Sequence, residues 1–349
     1  MCKKLNIKIK RFFFFWAVLL GSFSGMSQDI HNSQFWLYPI GLNPAAAGFF
    51  DGTVRLGGYN RTQWLSITPK PYQTVGIFAD FPLVKRHWQQ DIFGFGVAMN
   101  YDQVGDSRYT TADGSLMFSY AKALTNRKNQ FLMGGVSVGC AQRSWDFLRL
   151  SFDEQFSVDG FYDPTIPITE TFTGNYIWLF DCGAGLQWFY QPDFLTFYQA
   201  GFSVFHLNRP EISMLSDKRI LLDIKYVAYV VSSIGIDDKN AVIPSFYMSF
   251  QNKYREILFG AVYSHQLPLD IQGFLNSLNA GLLYRWGDAV YVTMGMDFRR
   301  CKFGISYDFN VSKLRKGTRV RGGVELGFSY IFKKKKYPKK STYPCTVFD

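Results

Sequence analysis

Four histidines could act as general acids or bases in catalysis: His31, His87, His206 and His265. The nearest pairing of a nucleophile with a base is Ser203 with His206, which would suit a lipid hydrolase built on a barrel wall. A general base must lie within hydrogen-bond distance of the proton that it removes. Because residues three apart on a β-strand point to opposite faces, this pair does not meet that condition. We therefore expect no catalytic residues, no enzyme activity and no cofactor.

The stretch SFDEQFSVDGFYDPTIPITE, residues 151–170, combines carboxylates with aromatic side chains. Carboxylate oxygens are calcium ligands, but their spacing here does not match an EF-hand loop. The four cysteines after residue 27 do not match a metal motif either, so we expect no metal site. Exposed aromatics rimmed by carboxylates are typical of protein-binding surfaces, although a loop folded onto a barrel rim would also bury them. The candidate partner-binding residues are Phe152, Asp153, Glu154, Phe156, Phe161, Tyr162, Pro164 and Glu170, with Arg209 and Glu211 in a second loop.

The first 27 residues have the composition of a secretory signal peptide. Five basic residues between Lys3 and Arg11 precede an apolar run from Phe12 to Leu20, and small residues follow at 25–27. The first mature residue is then Gln28. Since later parts of the chain lack eighteen consecutive apolar residues, a membrane-integral mature protein must be a closed barrel.

The elements that carry these residues have the periodicity of β-strands. In KFGISYDFNVS, residues 302–312, apolar and aromatic residues alternate with Gly304, Ser306, Asp308, Asn310 and Ser312. In a soluble sandwich the apolar face is a core, whereas in an outer-membrane barrel it meets lipid and the polar face lines the lumen. Residues 290–298 and 320–332 repeat the pattern. These three runs are each about nine residues long or more. A tilted strand needs about nine to eleven residues to cross a bilayer.

The whole chain contains fourteen such stretches and no second domain within them. They are residues 53–61, 73–83, 91–103, 110–124, 130–145, 177–190, 194–207, 220–233, 241–251, 254–266, 276–286, 289–298, 302–312 and 320–332. An even count places both ends of the array on one side, the periplasm. The long connections 146–176 and 208–219 are then extracellular. The sequence therefore predicts an all-β transmembrane barrel of about 14 antiparallel strands, integral to the cell outer membrane.

Two segments flank the predicted barrel, which spans 53–332. Residues 28–52 form either a periplasmic lead-in or a partial plug in the lumen, and the aromatic run from Phe35 to Tyr38 favours the plug. Residues 333–349 form a basic periplasmic tail. The net charge of +11 belongs mainly to the signal peptide and this tail, because residues 28–332 are nearly neutral. This distribution argues against nucleic-acid binding.

The predicted inward face carries charges of both signs. Mixed charges that face one another more often form a rigid network than a selective pore, so we expect a blocked lumen, with an open solute channel as the alternative. The inward charges are Arg55, Asp80, Asp181, Asp297, Asp308, Arg321 and Glu325.

Several stretches, in order along nearly the whole mature chain, resemble one family. They include DIHNSQFWLYPIGLNPAAAGFF, RLGGYNRTQW, PYQTVGIFADFPL, GFGVAMNYDQVGD, LSFDEQFSVDGFYDP, GFSVFHLNRPEIS, FGISYDFNVSKL and RGGVELGFSYIF. The sequence is similar to the PorP/SprF family of Bacteroidota outer-membrane proteins, which is associated with type IX secretion and gliding motility. The resemblance implies a barrel that anchors a secreted cargo protein, such as an adhesin, through the cargo's type IX C-terminal domain, or assists its delivery to the cell surface. It also implies contacts with secretion-machinery or peptidoglycan-associated periplasmic proteins and with outer-membrane lipid.

Overall fold

A computed structural model describes residues 32–65, 68, 70–85, 91–105, 108–146, 152–156, 161–163, 165–167, 174–213, 220–267, 275–312 and 315–333. The predicted signal peptide, residues 334–349 of the basic tail, and the candidate residues Pro164 and Glu170 lie outside these ranges. No helix in the described ranges is long and apolar enough to cross a membrane.

Fourteen antiparallel strands form one closed barrel, in which each strand pairs with its neighbours in sequence and β1 pairs with β14. The strands are β1 Val54–Gln63, β2 Tyr72–Lys85, β3 Ile92–Val104, β4 Tyr109–Ala123, β5 Gln130–Ser144, β6 Tyr176–Tyr190, β7 Phe197–Phe205, β8 Lys225–Gly235, β9 Asn240–Gln251, β10 Tyr254–Gln266, β11 Ser277–Arg285, β12 Ala289–Phe298, β13 Cys301–Asn310 and β14 Arg321–Phe332. The predicted fold class is confirmed.

The observed strand bounds agree with the predicted ones to within two residues, except at the starts of β7 and β8. The sequence predicts that β8 begins at residue 220, but the strand begins at Lys225. The preceding residues instead pair with the loop after β7, where Leu221 forms an isolated bridge with Glu211. Local pairing within this loop therefore competes with extension of the wall.

Alternation along the strands separates an outer apolar face from an inner polar face. On β13, Phe303, Ile305 and Phe309 are exposed on the outside, whereas Ser306 and Asp308 are buried inside. An apolar outer face suits lipid, and polar inner residues need partners in the lumen.

The two ends of the barrel carry different connections. The terminal rim is the end at which β1 begins and β14 ends, next to Val54 and Phe332. The loop rim is the opposite end, which carries the long connections 145–175 and 206–224.

The described residues directly before β1 lie inside the barrel. This lumen segment, residues 32–53, contains three short helical turns, Phe35–Leu37, Pro39–Leu42 and Pro44–Ala46. Proline at the first position of the last two turns has the backbone angle that a helix start requires. Asn43 precedes the third turn, and its side-chain oxygen accepts a hydrogen bond from the backbone N–H of Ala45 at 2.9 Å.

Three apolar clusters join the lumen segment to different parts of the wall. Phe35 packs with Tyr229, Tyr247, Leu258 and Tyr291 on β8–β12. Ala45 and Phe49 pack with Phe131, Met133 and Phe189 on β5 and β6. Tyr38 and Ile40 pack with Tyr59, Phe78, Ala98 and Met117 on β1–β4. The hydrophobic core of this protein is therefore the contact between the lumen segment and the inner wall.

Glycines on the inner wall leave room for this contact. A Cβ at Gly94 would clash with the carbonyl oxygen of Ala47, and one at Gly185 would clash with the side chain of Asn43. Glycine thus allows the two backbones to approach where other residues would hold them apart.

Candidate functional site

The described part of the 145–175 connection is a compact loop ordered around Gln155. The Gln155 side chain is buried; its Oε1 accepts from the backbone N–H of Phe152 at 3.1 Å, and its Nε2 donates to the carbonyl of Ile166 at 3.4 Å. Its backbone carbonyl accepts from the N–H of Asp163 at 2.8 Å. One glutamine therefore holds both ends of this loop together.

Aromatic side chains project from the loop around this glutamine. Phe156 and Tyr162 form a β-bridge, and their ring centroids lie 5.5 Å apart. Both rings are exposed, and Phe161 is 76% exposed. The loop therefore keeps three aromatic rings in contact with solvent.

Carboxylates accompany these rings. The Thr165 hydroxyl and backbone N–H both donate to Asp163, and these hydrogen bonds lower the pKa of the Asp163 carboxyl. Glu154 is exposed, and Asp153 begins a single helical turn, Asp153–Gln155. The combination of exposed rings and ionised carboxylates suits a protein partner with apolar and basic groups.

The second candidate loop follows β7. Arg209 is exposed and lies 3.4 Å from a carboxylate oxygen of Asp223. Glu211 is exposed and takes part in the bridge with Leu221. Among the described residues, no three His, Cys, Asp or Glu side chains are grouped to hold a metal ion.

Ser203 and His206 make contacts with different groups. The Ser203 hydroxyl donates to the carbonyl of Leu42 in the lumen segment at 2.8 Å. The Nδ1 atom of His206 lies 3.0 Å from Asp181 at the loop-rim end of the wall. Each side chain therefore has a structural contact that does not involve the other.

A buried charge cluster holds the start of the lumen segment near the loop rim. Arg61 contacts the carboxylates of Asp308 at 2.9 Å and Glu325 at 3.3 Å. The backbone N–H groups of Ser33 and Gln34 donate to the two oxygens of Glu325 at 2.7 and 2.8 Å. The wall thus supplies side-chain acceptors to backbone donors of the segment.

Arg285 on β11 extends the same cluster along the inner wall. Its Nε lies 3.0 Å from Glu256, and its guanidinium also contacts Asp308 at 3.7 Å and the Ser33 hydroxyl at 3.2 Å. A further contact, at 3.0 Å, joins it to Asp288 in the turn after β11. Buried charges of both signs are therefore paired around Ser33.

A second buried pair holds the end of the lumen segment near the terminal rim. Two nitrogens of Arg55 contact the two carboxylate oxygens of Asp80 at 2.9 and 2.7 Å. The Gly48 backbone N–H donates to Asp80 at 2.7 Å, and the guanidinium lies 4.8 Å from the centre of the Phe50 ring. Such bidentate, charge-assisted pairs fix geometry strongly.

Some of these buried residues are predictable from strand alternation, and others are not. Arg55, Asp80, Asp308 and Glu325 are inward and buried as predicted, but Arg321 is exposed at the loop-rim end of β14. Its strand pairing with β13 is irregular at this end, which ends the simple alternation. The residues that were missed are Ser33, Gln34, Arg61, Glu256 and Arg285; the three charged ones lie at inward positions, so the same alternation could have found them.

Comparison with known proteins adds the family. The toluene transporter TbuX of Ralstonia pickettii is similar in fold, with a TM-score of 0.51 and 13% identity, over 88% of this chain and 96% of that one. The toluene transporter TodX of P. putida matches with a TM-score of 0.45 and 11% identity, over 84% of this chain and 93% of that one. No curated protein matches the sequence. The model of the family described as "Type IX secretion system membrane protein PorP/SprF" matches residues 24–330, and this chain belongs to that family of outer-membrane barrels.

Proposed function

We propose that this barrel assists surface delivery of a secreted protein and holds that cargo, such as an adhesin, through its C-terminal domain, with no chemistry of its own. In this proposal the loop rim is extracellular and the terminal rim is periplasmic. The cargo contacts the aromatic loop of residues 152–167, and the loop around Arg209 and Glu211 is a second contact.

The observation that carries the proposal is the exposure of Phe161 beside the Phe156–Tyr162 ring pair. Aromatic side chains in water are unfavourable, and they are enriched among the residues that dominate binding energy at protein interfaces. The contacts of Gln155 join residues on both sides of these rings, at Phe152, Asp163 and Ile166, so that the loop is ordered before a partner arrives. A pre-ordered loop loses less conformational entropy on binding.

Replacing Phe161 and Tyr162 together by alanine tests the proposal. We expect release of cargo into the medium while the barrel stays folded in the outer membrane, because truncation of a central aromatic costs about 2 kcal/mol or more of binding free energy. The matched control is Trp286→Ala, which removes an exposed aromatic from another turn of the loop rim. Normal retention of cargo by the double variant would exclude this loop.

Orientation has its own test. A cysteine introduced at the exposed Thr165 should react with an impermeant thiol reagent on intact cells, above the background of the natural cysteines. Labelling only after rupture of the outer membrane would place the loop rim in the periplasm.

The filled lumen supports a holding role over the alternative of a solute channel. Residues 33–50 occupy the inner space and contact strands around the barrel. We therefore expect purified protein to give no single-channel steps in planar bilayers. Steady conductance by the unmodified protein would favour the channel instead.

A further inference from the structure

A cavity of about 380 Å³ remains between the lumen segment and one side of the barrel wall. Phe35, Trp36 and Leu42 of the lumen segment line its inner end. Its lining also reaches the terminal rim, at Phe194 in the turn after β6 and at Lys333 after β14. The volume lies within the range of small-ligand sites and is far too small for a folded domain.

The middle of the cavity carries two buried polar atoms that lack a hydrogen-bond partner in the described part of the chain. Gln199 and Ser245 are only 3% and 5% exposed, and both line the cavity. Among the described residues, Gln199 Oε1 and Ser245 Oγ have no hydrogen-bond partner. A buried acceptor or hydroxyl left in this state costs about 1–3 kcal/mol, so these atoms indicate a ligand with hydrogen-bonding groups.

The end of the cavity at the terminal rim is basic. Arg299, Lys302 and Lys333 line it together with one carboxylate, Asp297. Asp297 already accepts from the Ser277 hydroxyl at 2.7 Å. Lys333 pairs with Asp51, whereas the Lys302 ammonium has no ion-pair partner in the described part of the chain. This end therefore suits a carboxylate.

These three zones select one class of occupant. The aromatic inner end suits an apolar side chain, the middle suits backbone amides, and the basic end suits an acidic group. A hydrocarbon chain would leave Gln199 Oε1 and Ser245 Oγ unpaired, whereas a peptide offers an N–H to each of them.

We propose that this cavity receives an extended peptide segment of a periplasmic partner, in which an aromatic side chain lies next to a carboxylate. The aromatic ring packs against Trp36 and Phe197, and the carboxylate lies beside Lys302. The periplasmic source of the peptide rests on the orientation proposed above. The binding chemistry does not depend on that orientation or on cargo retention.

Purified full-length barrel in detergent and a fluorescein-labelled peptide, Gly-Ser-Gly-Phe-Asp-Gly amide, provide the test. We expect saturable binding by fluorescence anisotropy. Replacing Phe by Ala or Asp by Asn in the peptide should weaken binding about tenfold, a loss of about 1.4 kcal/mol. Lys302→Ser should have a similar effect, whereas Lys239→Ser, in the turn after β8 on the same rim, should not.

Four results would overturn the proposal. The first is the absence of saturable binding, and the second is equal binding by the Lys302→Ser barrel and the unmodified one. The third is displacement of the peptide by dodecanoate at equal concentration, which would assign the cavity to acyl chains. Binding that appears only after deletion of residues 341–349 would also contradict the proposal, since the chain's own tail would then be the occupant.

Discussion

Phe35 and Phe161 both belong to segments outside the strand array, yet they have opposite environments. Phe35 is 4% exposed and stacks on Tyr247 with ring centroids 5.5 Å apart, whereas Phe161 is 76% exposed. The first lies in the lumen segment and the second in the aromatic loop. The same side chain therefore stabilises the fold in the lumen segment and is available for binding in the aromatic loop.

The two segments also differ in which residues supply their hydrogen-bond partners. Backbone groups of the lumen segment bond to wall side chains, including Glu325 with Ser33 and Asp80 with Gly48. The aromatic loop is held by Gln155, a residue of the loop itself. We infer that the lumen segment is an integral part of the barrel, while the loop is ordered from within by Gln155.

The largest expected loss of stability follows from removing the side chain of Arg61, which holds the lumen segment to the wall. Arg61→Ala leaves Asp308 and Glu325 buried with less positive charge, and removing one partner of a buried ion pair costs about 3–5 kcal/mol of unfolding free energy. Urea unfolding of reconstituted barrel measures the loss. Arg321→Ala, an exposed arginine on β14, is the control and should change stability little. A loss below 1 kcal/mol at Arg61 would mean that the cluster does not secure the segment.

The wall was predictable from the sequence because alternation repeats in every strand. Its cause is local, since each position faces either lipid or the lumen, and KFGISYDFNVS already shows the pattern. The contacts inside the barrel are different. The pairing of Ser33 with Glu325 joins residues 292 positions apart, and no local pattern encodes it.

The candidate loop was only partly predictable for a related reason. Its carboxylates and aromatics are visible in the sequence, but their exposure depends on how the loop closes. Closure depends on Gln155, whose side chain reaches the carbonyl of Ile166 eleven residues away. A single glutamine in a polar loop gives no signal of this role.

A charge on the outer wall tests which side of the strands is the interior. Leu282 lies in the middle of β11, on the exposed face, and Leu282→Arg should cost about 2–4 kcal/mol in a bilayer. The control is Asn279→Arg on the same strand, which points into the cavity. Urea unfolding in lipid vesicles compares the two variants. Equal losses would contradict the assignment of the two faces.

A smaller loss of stability is expected when a glycine that packs against the lumen segment is replaced by a larger residue. Gly185→Val places methyl groups against Asn43, and overpacking of this kind costs about 1–3 kcal/mol. Displacement of the segment should also produce conductance steps in planar bilayers that the unmodified barrel lacks. Gly114→Val, at a position with no atom within 4 Å of the added Cβ, is the control. If the Gly185→Val barrel gave no conductance steps and kept its unfolding free energy, the lumen segment would have adjusted to the added methyl groups without leaving the lumen.

The smallest expected effect tests whether the order of the aromatic loop and the stability of the barrel are independent. Gln155→Ala removes hydrogen bonds to Phe152 and Ile166, each worth about 0.5–1.5 kcal/mol, so the loop should open more often. We expect faster proteolysis within residues 146–175 and weaker cargo retention, with unchanged urea unfolding of the barrel, because the two lost hydrogen bonds lie within the loop. Asn175→Ala, an exposed residue of the same connection, is the control. If Gln155→Ala destabilised the barrel as much as Arg61→Ala does, the loop would be part of the same cooperative unit as the lumen segment. If proteolysis did not change, residues other than Gln155 would order the loop.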